Sequence, residues 1–94
     1  MNIINVEFDK TLIALSGNEF GHLTYVVQIK DKLKIGERNI IVFSDNIQII
    51  GISFVKGLFS ELLKDYNVTE IKKIIGIKCC TKGVEDSVWD SLNF

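Results

Sequence analysis

The chain has 94 residues, of which 47% are hydrophobic, and it contains seven glycines and no proline. This length is typical of one folded domain with a single core, and the composition argues against linkers and low-complexity segments. Eleven basic and twelve acidic residues leave a formal net charge of −1. Because such a chain has no strong positive field, we expect it not to bind nucleic acid.

Membrane insertion is not expected either. No apolar run in the sequence approaches the roughly 20 residues that a membrane-spanning helix needs. The first five residues, MNIIN, lack the basic segment and the long apolar segment of a secretory signal. We therefore expect a cytoplasmic protein.

The two cysteines, Cys79 and Cys80, are adjacent. A disulfide between neighbouring residues is strained, and two thiols are too few for a structural zinc site. We interpret them as reduced thiols in a reducing compartment, with redox or metal chemistry as the alternative. No cofactor is expected.

The beginning of the chain predicts two strands. Ile4, Val6 and Phe8 alternate with polar residues, which is the period of a half-buried strand. Residues 11–15 follow after a polar corner and can pair back on the first strand. We therefore expect an opening hairpin.

A first helix is predicted over residues 19–33. Asn18 is placed to cap it, and Glu19 carries a negative charge in its first turn, where the helix dipole favours one. Its apolar side chains recur at helical spacing, so we expect them to form the buried stripe. These side chains are Leu23, Val26, Ile29 and Leu33.

Residues 39–43, NIIVF, contain too few polar positions for a strand with one face in water. They predict a central strand that is buried on both sides. Gly51 permits a sharp exit from a further apolar run, and Ser53 is placed to cap a second helix over residues 53–66. The side chains expected on its buried face are Val55, Leu58, Phe59, Leu62, Leu63 and Tyr66.

The last third of the chain predicts a strand and a closing helix. Asn67 is placed to end the second helix in a left-handed conformation, and the strand follows over residues 73–79. Because a helix connects this strand to the central one, we expect the two strands to run parallel. Val84, Val88 and Leu92 recur at helical spacing in the closing helix.

These elements predict a single α/β domain over residues 1–94, with a mixed sheet of about four to five strands. Helices follow the opening strands and the central strand and end the chain. This order resembles the STAS fold of sulfate-transporter and anti-sigma-factor-antagonist domains. Two segments, IQIIGISFVKGLF at residues 47–59 and IIGIK at residues 74–78, are similar to the bacterial and phage STAS-like family of unknown function. In that family a Ser-Phe pair, here Ser53 and Phe54, opens the long helix.

Antagonist-type STAS domains carry an Asp-Ser-Ser/Thr-Gly motif at this turn, and a GHKL-type kinase phosphorylates its first hydroxyl residue. The matching residues here are Gly51, Ile52, Ser53 and Phe54, so only Ser53 retains a hydroxyl group. The resemblance therefore implies partner docking without the usual phosphoacceptor. It implies a GHKL-type ATPase or an anti-sigma-like regulator as the partner.

Ser53 has two interpretations. It caps the second helix, or it accepts a phosphoryl group at a helix start that favours negative charge. His22 likewise forms either an acid–base pair with Glu19 or part of a solvated helix face. The sequence contains no nucleophile-elbow, phosphate-loop or zinc-protease motif, so no catalytic residue is expected.

We therefore expect a non-enzymatic regulatory module that docks a protein partner through the start of the second helix. The residues expected to contact the partner are Gly51, Ile52, Ser53, Phe54, Lys56 and Gly57. One alternative is a phage or mobile-element protein that blocks a host defence protein. Another is a self-associating structural domain, such as a homodimer formed through a sheet edge or through residues 89–94.

Overall fold

Three parallel strands form the main sheet of the computed structural model, which describes residues 1–79 and 83–92. In chain order, the strands are β1 (Asn2–Val6), β2 (Ala14–Leu15), β3 (Asn39–Phe43), β4 (Ile49–Ile50) and β5 (Ile75–Lys78). The α-helices are α1 (Asn18–Thr24), α2 (Ile52–Leu58), α3 (Leu62–Asp65), α4 (Val68–Ile74) and α5 (Val84–Leu92). The described residues therefore have the α/β architecture that the sequence predicts.

All strand pairs in the described residues are parallel. The main sheet has the order β1–β3–β5, with Ile4 beside Ile41 and Ile41 beside Ile77, and a second sheet pairs β2 with β4. The predicted parallel arrangement of the central and last strands is confirmed. The predicted hairpin, and the mixed sheet with it, are wrong, because β1 pairs with β3 and β2 pairs with β4. Alternation of apolar residues identifies a half-buried strand but does not identify its partner.

The first helical segment runs from Asn18 to Lys32 and changes its form on the way. After α1 it continues as a π-helix over Tyr25–Ile29 and as a 3₁₀ turn over Lys30–Lys32. Gly17, and not Asn18, is the N-cap, and its φ of 96° is one that residues with a side chain rarely adopt. Among the described residues, no side chain caps this helix. The extent of the helix is therefore close to the prediction, whereas its cap is not.

The buried face of this segment also differs from the predicted stripe. Ile29 is buried and Leu33 is half-buried, but Leu23 and Val26 are exposed. The residues buried instead, together with Ile29, are Gly21, Thr24 and Tyr25. Because Gly21 has no side chain, α2 can approach the backbone of α1 at this point. Apolar spacing alone does not reveal a buried face that contains glycine and threonine.

The predicted second helix consists of two shorter helices, α2 and α3, separated by a turn at residues 59–61. Asn67 does not end a helix in a left-handed conformation, as predicted. Its side chain forms a capping box with Glu70 and so begins α4. Because α4 continues to Ile74, β5 begins later than predicted, at Ile75.

The hydrophobic core is one cluster that includes one face of the main sheet, and α2 packs against both α1 and α5. The side chains that are buried as predicted include Val55, Leu58, Phe59, Leu62, Val84, Val88 and Leu92. Leu63 is exposed and Tyr66 is half-buried, so the predicted face of the second helix is too wide.

The opposite face of the main sheet is partly open. Ile3, Asn5 and Lys78 are exposed there, and Ile40 and Val42 are half-buried. The central strand β3 is therefore fully buried on one side only, whereas the sequence predicts burial on both sides. Its place between β1 and β5 pairs both of its edges.

Candidate functional site

The start of α2 differs from the predicted helix cap. Gly51 occupies the N-cap position, no side chain caps the helix there, and Ser53 is the second residue of α2. The Oγ of Ser53 instead accepts a hydrogen bond from the backbone N–H of Gly17, 3.1 Å away. Because Gly17 is the N-cap of α1, Ser53 connects the starts of two neighbouring helices. The predicted capping role is therefore wrong, and phosphorylation of Ser53 stays a prediction.

The structure divides the six predicted contact residues into exposed and buried ones. Ile52, Ser53 and Lys56 are exposed, and Gly51 is half-buried. Phe54 and Gly57 are buried. A partner can touch the exposed residues directly, whereas Phe54 and Gly57 contribute only by holding the helix in place.

Two glycines determine how closely α1 and α2 approach each other. An ideal Cβ at Gly57 would lie 2.0 Å from the carbonyl oxygen of Asn18. One at Gly21 would lie 2.0 Å from the carbonyl oxygen of Phe54. Since neither position has room for a methyl group, the helices pack backbone against backbone. The exposed residues of α2 therefore project from a rigid support.

Phe54 belongs to a cluster of aromatic rings that anchors the start of α2. Its ring meets those of Phe8 and Phe20 edge to face, with centroids 6.2 Å and 5.4 Å apart. Phe8 also stacks on Phe43 of β3, with centroids 6.2 Å apart. Aromatic pairs in these arrangements add stability beyond the area that they bury. The cluster thus fixes the start of α2 relative to the central strand.

Three large apolar side chains are exposed around the start of α2, and we call them the isoleucine patch: Ile13, Ile49 and Ile52. Their side chains are 54%, 60% and 53% exposed. The backbone N–H of Ile49 donates to the carbonyl oxygen of Ile13, 3.2 Å away, and Ile52 follows Ile49 after the N-cap residue. Sequence reasoning named only Ile52, because it is the pairing of β2 with β4 that brings the backbones of Ile13 and Ile49 together.

His22 pairs with Glu61 and not with Glu19. Its Nε2 lies 2.7 Å from Oε2 of Glu61, and Nζ of Lys30 lies 2.9 Å from Oε1 of the same carboxylate. Glu61 lies in the turn between α2 and α3, so it connects that turn to two points along the first helical segment. The alternative pair with Glu19, which the sequence left open beside a solvated helix face, is not the one observed, because the turn between α2 and α3 supplies the carboxylate that His22 meets.

The charges of this network shift the pKa values of its members. Hydrogen bonds with Lys30 and His22 lower the pKa of Glu61, and the Glu61 carboxylate raises the pKa of Lys30. Burial raises the pKa of Tyr25, and the negative charge of Glu61 raises it further. Each shift favours the charge state that the group already has at neutral pH. The cluster therefore behaves as a surface ion-pair network rather than as a poised acid or base.

Two adjoining clefts of about 340 Å³ and 280 Å³ lie at the carboxyl end of the main sheet, and neither is lined by a residue of α2. Their polar lining includes Glu7, Ser44, Asp45 and Lys78. Ser44 Oγ is buried and has no hydrogen-bond partner among the described residues. Ligands often bind at this end of parallel sheets, but two carboxylates beside an ammonium group indicate no single class of ligand.

No group of three or more His, Cys, Asp or Glu side chains is arranged to hold a metal ion in the described part of the chain. Cys79 is a free thiol, and its Sγ donates to the carbonyl oxygen of Ile47 at 3.6 Å. The prediction for Cys80 lies outside the described residues.

Comparisons with protein-family models, with curated proteins and with solved structures found no match for this chain. No helix within residues 1–79 and 83–92 is long and apolar enough to cross a membrane. The resemblance to STAS-like proteins therefore stays a prediction.

Proposed function

We propose that this protein is a non-enzymatic regulatory module of STAS-like type that binds a protein partner through the start of α2. The isoleucine patch carries the proposal. Single exposed apolar residues are ordinary, but three exposed isoleucines whose backbones lie close to one helix start favour a protein-binding surface. Here Ser53 and Lys56 are the exposed polar neighbours on α2.

The rigidity of the support favours the same function. Binding is weakened when an interface must first be ordered, so a surface that is already held in place retains more affinity. The backbone contacts of Gly57 and the aromatic packing of Phe54 hold α2 before any partner arrives. Phe54 and Gly57, the two buried residues among the six predicted contact residues, thus support docking without touching the partner.

The class of partner comes from the resemblance. STAS-like proteins suggest a GHKL-type ATPase or an anti-sigma-like regulator, and a cytoplasmic location belongs to the same proposal. The exposed ammonium group of Lys56 suits an acidic position on the partner's rim. In a phage or mobile element the same surface would bind and block a host defence protein.

A capture experiment with matched variants tests the proposal. Tagged wild-type protein, Ile52→Glu and Ile35→Glu are incubated with lysate of the native host, and bound proteins are identified by mass spectrometry. Ile35→Glu is the matched control, because Ile35 is also an exposed isoleucine and lies outside the patch. We expect one regulator or ATPase to bind wild type and Ile35→Glu and to be lost with Ile52→Glu. Identical binding to all three proteins would exclude docking through the patch.

The captured partner is then purified and titrated with wild-type protein and with Ser53→Asp. Loss of binding with an intact fold would show that the interface responds to negative charge at the start of α2. A change in the partner's own activity on binding would distinguish a regulator from a passive scaffold.

Self-association is the second candidate function, but the described residues at the end of α5 do not support it. Trp89 is half-buried, with its ring centroid 5.8 Å from that of Phe59, and Leu92 is buried. Asn93 and Phe94 lie outside the described residues. A different surface favours self-association, and it lies on the first helical segment.

A further inference from the structure

The first helical segment carries an exposed apolar face, which we call the outer face: Leu23, Val26 and Val27. Their side chains are 57%, 39% and 68% exposed. Three such residues within five positions form a continuous surface on one helix, rather than the scattered apolar residues of an ordinary surface. The outer face does not include any residue of the isoleucine patch.

The structure explains why these side chains cannot turn inward. Gly21 faces the backbone of α2, and Tyr25 and Ile29 are packed in the core. Thr24 is also buried, and its Oγ1 donates to the carbonyl oxygen of Phe20 at 2.8 Å. In both the α-helical and the π-helical parts, the side of the helix that bears these residues packs in the core. The opposite side, which bears the outer face, is therefore exposed to solvent.

Charges at the two ends of the outer face are of opposite sign. Glu19 lies about one helical turn before Leu23, and Lys30 lies about one turn after Val26. Both charged side chains are exposed. A second copy that packs antiparallel would place its Val26 against Leu23 and its Lys30 against Glu19. The face is therefore complementary to itself, as a two-fold symmetric interface requires.

We infer that two copies of this chain associate through the outer face, with their first helical segments antiparallel about a two-fold axis. Lys30 keeps its contact with Glu61 at 2.9 Å, and its ammonium group also faces Glu19 of the second copy. One helix from each copy buries less than the roughly 1,200 Å² that separates weak from stable assemblies. The dimer is therefore weak and depends on concentration. This inference goes beyond the proposed partner binding and uses a different surface.

Sedimentation equilibrium of the full chain, from about 1 μM to about 1 mM, tests the inference. We expect the apparent mass to rise from 10.6 kDa towards twice that value. The double variant Leu23→Glu/Val27→Glu should keep the monomer mass over the whole range, with an unchanged circular dichroism spectrum and melting temperature. The control Ile35→Glu, an exposed isoleucine outside the outer face, should dimerise like the wild type.

Charge reversal tests the antiparallel arrangement. Glu19→Lys should weaken the dimer by at least tenfold in dissociation constant, because the new ammonium group would face Lys30 of the second copy. Glu19→Gln should weaken it less. An unchanged dissociation constant for Glu19→Lys would overturn the antiparallel arrangement.

Two further results would overturn the inference as a whole. One is a wild-type protein that stays at 10.6 kDa at the highest concentration, which would assign the outer face to a different protein. The other is a dimer that persists in Leu23→Glu/Val27→Glu. Ile52→Glu should leave the dimer intact, so failure of this inference and failure of the proposed partner binding give different results.

Discussion

The Oγ of Ser53 accepts a hydrogen bond from the backbone N–H of Gly17, 3.1 Å away, and so links the second residue of α2 to the N-cap of α1. A donor at a helix start has no partner within its own helix. Here a neighbouring helix supplies the acceptor. A chemical change at Ser53 therefore acts on the starts of both helices, next to the isoleucine patch.

Ser53→Ala should lower the free energy of unfolding by less than about 1 kcal/mol, because the lost bond is exposed and alanine favours a helix. Ser53→Asp should lower the free energy of unfolding by less than Ser53→Ala does, since a carboxylate can accept the hydrogen bond from Gly17 and is favoured in the first turn of α2. Urea denaturation measures both. Ser87→Ala, at an exposed serine in the first turn of α5, is the control and should not destabilise the protein.

Gly57→Ala should destabilise the protein by about 1–3 kcal/mol or more, as expected for overpacking. The added Cβ would meet the carbonyl oxygen of Asn18, a backbone atom that moves only if α1 moves with it. Lys56→Ala, one position earlier and exposed, should change stability by less than about 0.5 kcal/mol. Thermal and urea unfolding of both variants give the comparison. Equal stability of the two variants would contradict the close helix packing.

Leu62 and Leu63 are neighbours with opposite surroundings. Leu62 is 6% exposed and Leu63 is 38% exposed. Leu62→Ala should cost about 2–5 kcal/mol, whereas Leu63→Ala should cost less than about 1 kcal/mol, because only the first leaves a cavity in the core. Chemical denaturation of the pair tests which face of α3 is buried. A larger loss for Leu63→Ala would mean that the face is assigned wrongly.

Asn39 is buried at the start of β3 and supports several backbone groups. Its amide donates to the carbonyl oxygens of Lys34, Glu37 and Ile74, and its Oδ1 accepts from the side chain of Asn2 and the backbone of Lys34. Asn39→Ala should cost at least about 2 kcal/mol, because buried polar groups lose their partners. Asn5→Ala, at an exposed asparagine of β1, is the matched control and should be nearly neutral by the same denaturation assay.

Glu61 gives a prediction about pH. Its pKa is lowered by Lys30 and His22, so its ion pairs stabilise the fold above its ordinary value of 4.5, and this contribution is lost as the pH falls through the lower pKa of the folded state. Lys30→Gln should raise the pKa of Glu61 towards the ordinary value, as measured by NMR titration of its carboxyl carbon. It should destabilise the protein at neutral pH more than at acidic pH. Lys32→Gln, at an exposed lysine nearby, should leave that pKa unchanged.

Local signals in the sequence were sufficient for several elements. The apolar run at residues 39–43 predicts β3, and the spacing of Val84, Val88 and Leu92 predicts the buried face of α5. The parallel relation of β3 and β5 followed from the helix between them. Each of these inferences depends on residues close together in the chain, so sequence spacing carries the necessary information.

The candidate site was predicted less completely. The predicted cap of α2, Ser53, lies two residues after the observed N-cap, Gly51. Phe54 and Gly57 are buried, and the other exposed isoleucines come from β4 and from the segment before β2. Leu23 and Val26 look like core residues by spacing, although both are exposed. A hydrophobic period shows that a helix has an apolar side but not that the fold covers it.

By itself, the sequence determined the α/β class, the central strand and the positions of most helices, because backbone preference and apolar period act over a few residues. Only the tertiary structure decided the partner of β1, the carboxylate that His22 meets and the acceptor for Gly17. These features depend on groups that are far apart in the chain. The last two follow from the close packing of α1 on α2, which Gly21 and Gly57 allow. This packing also leaves the side of the first helix that bears Leu23 in water.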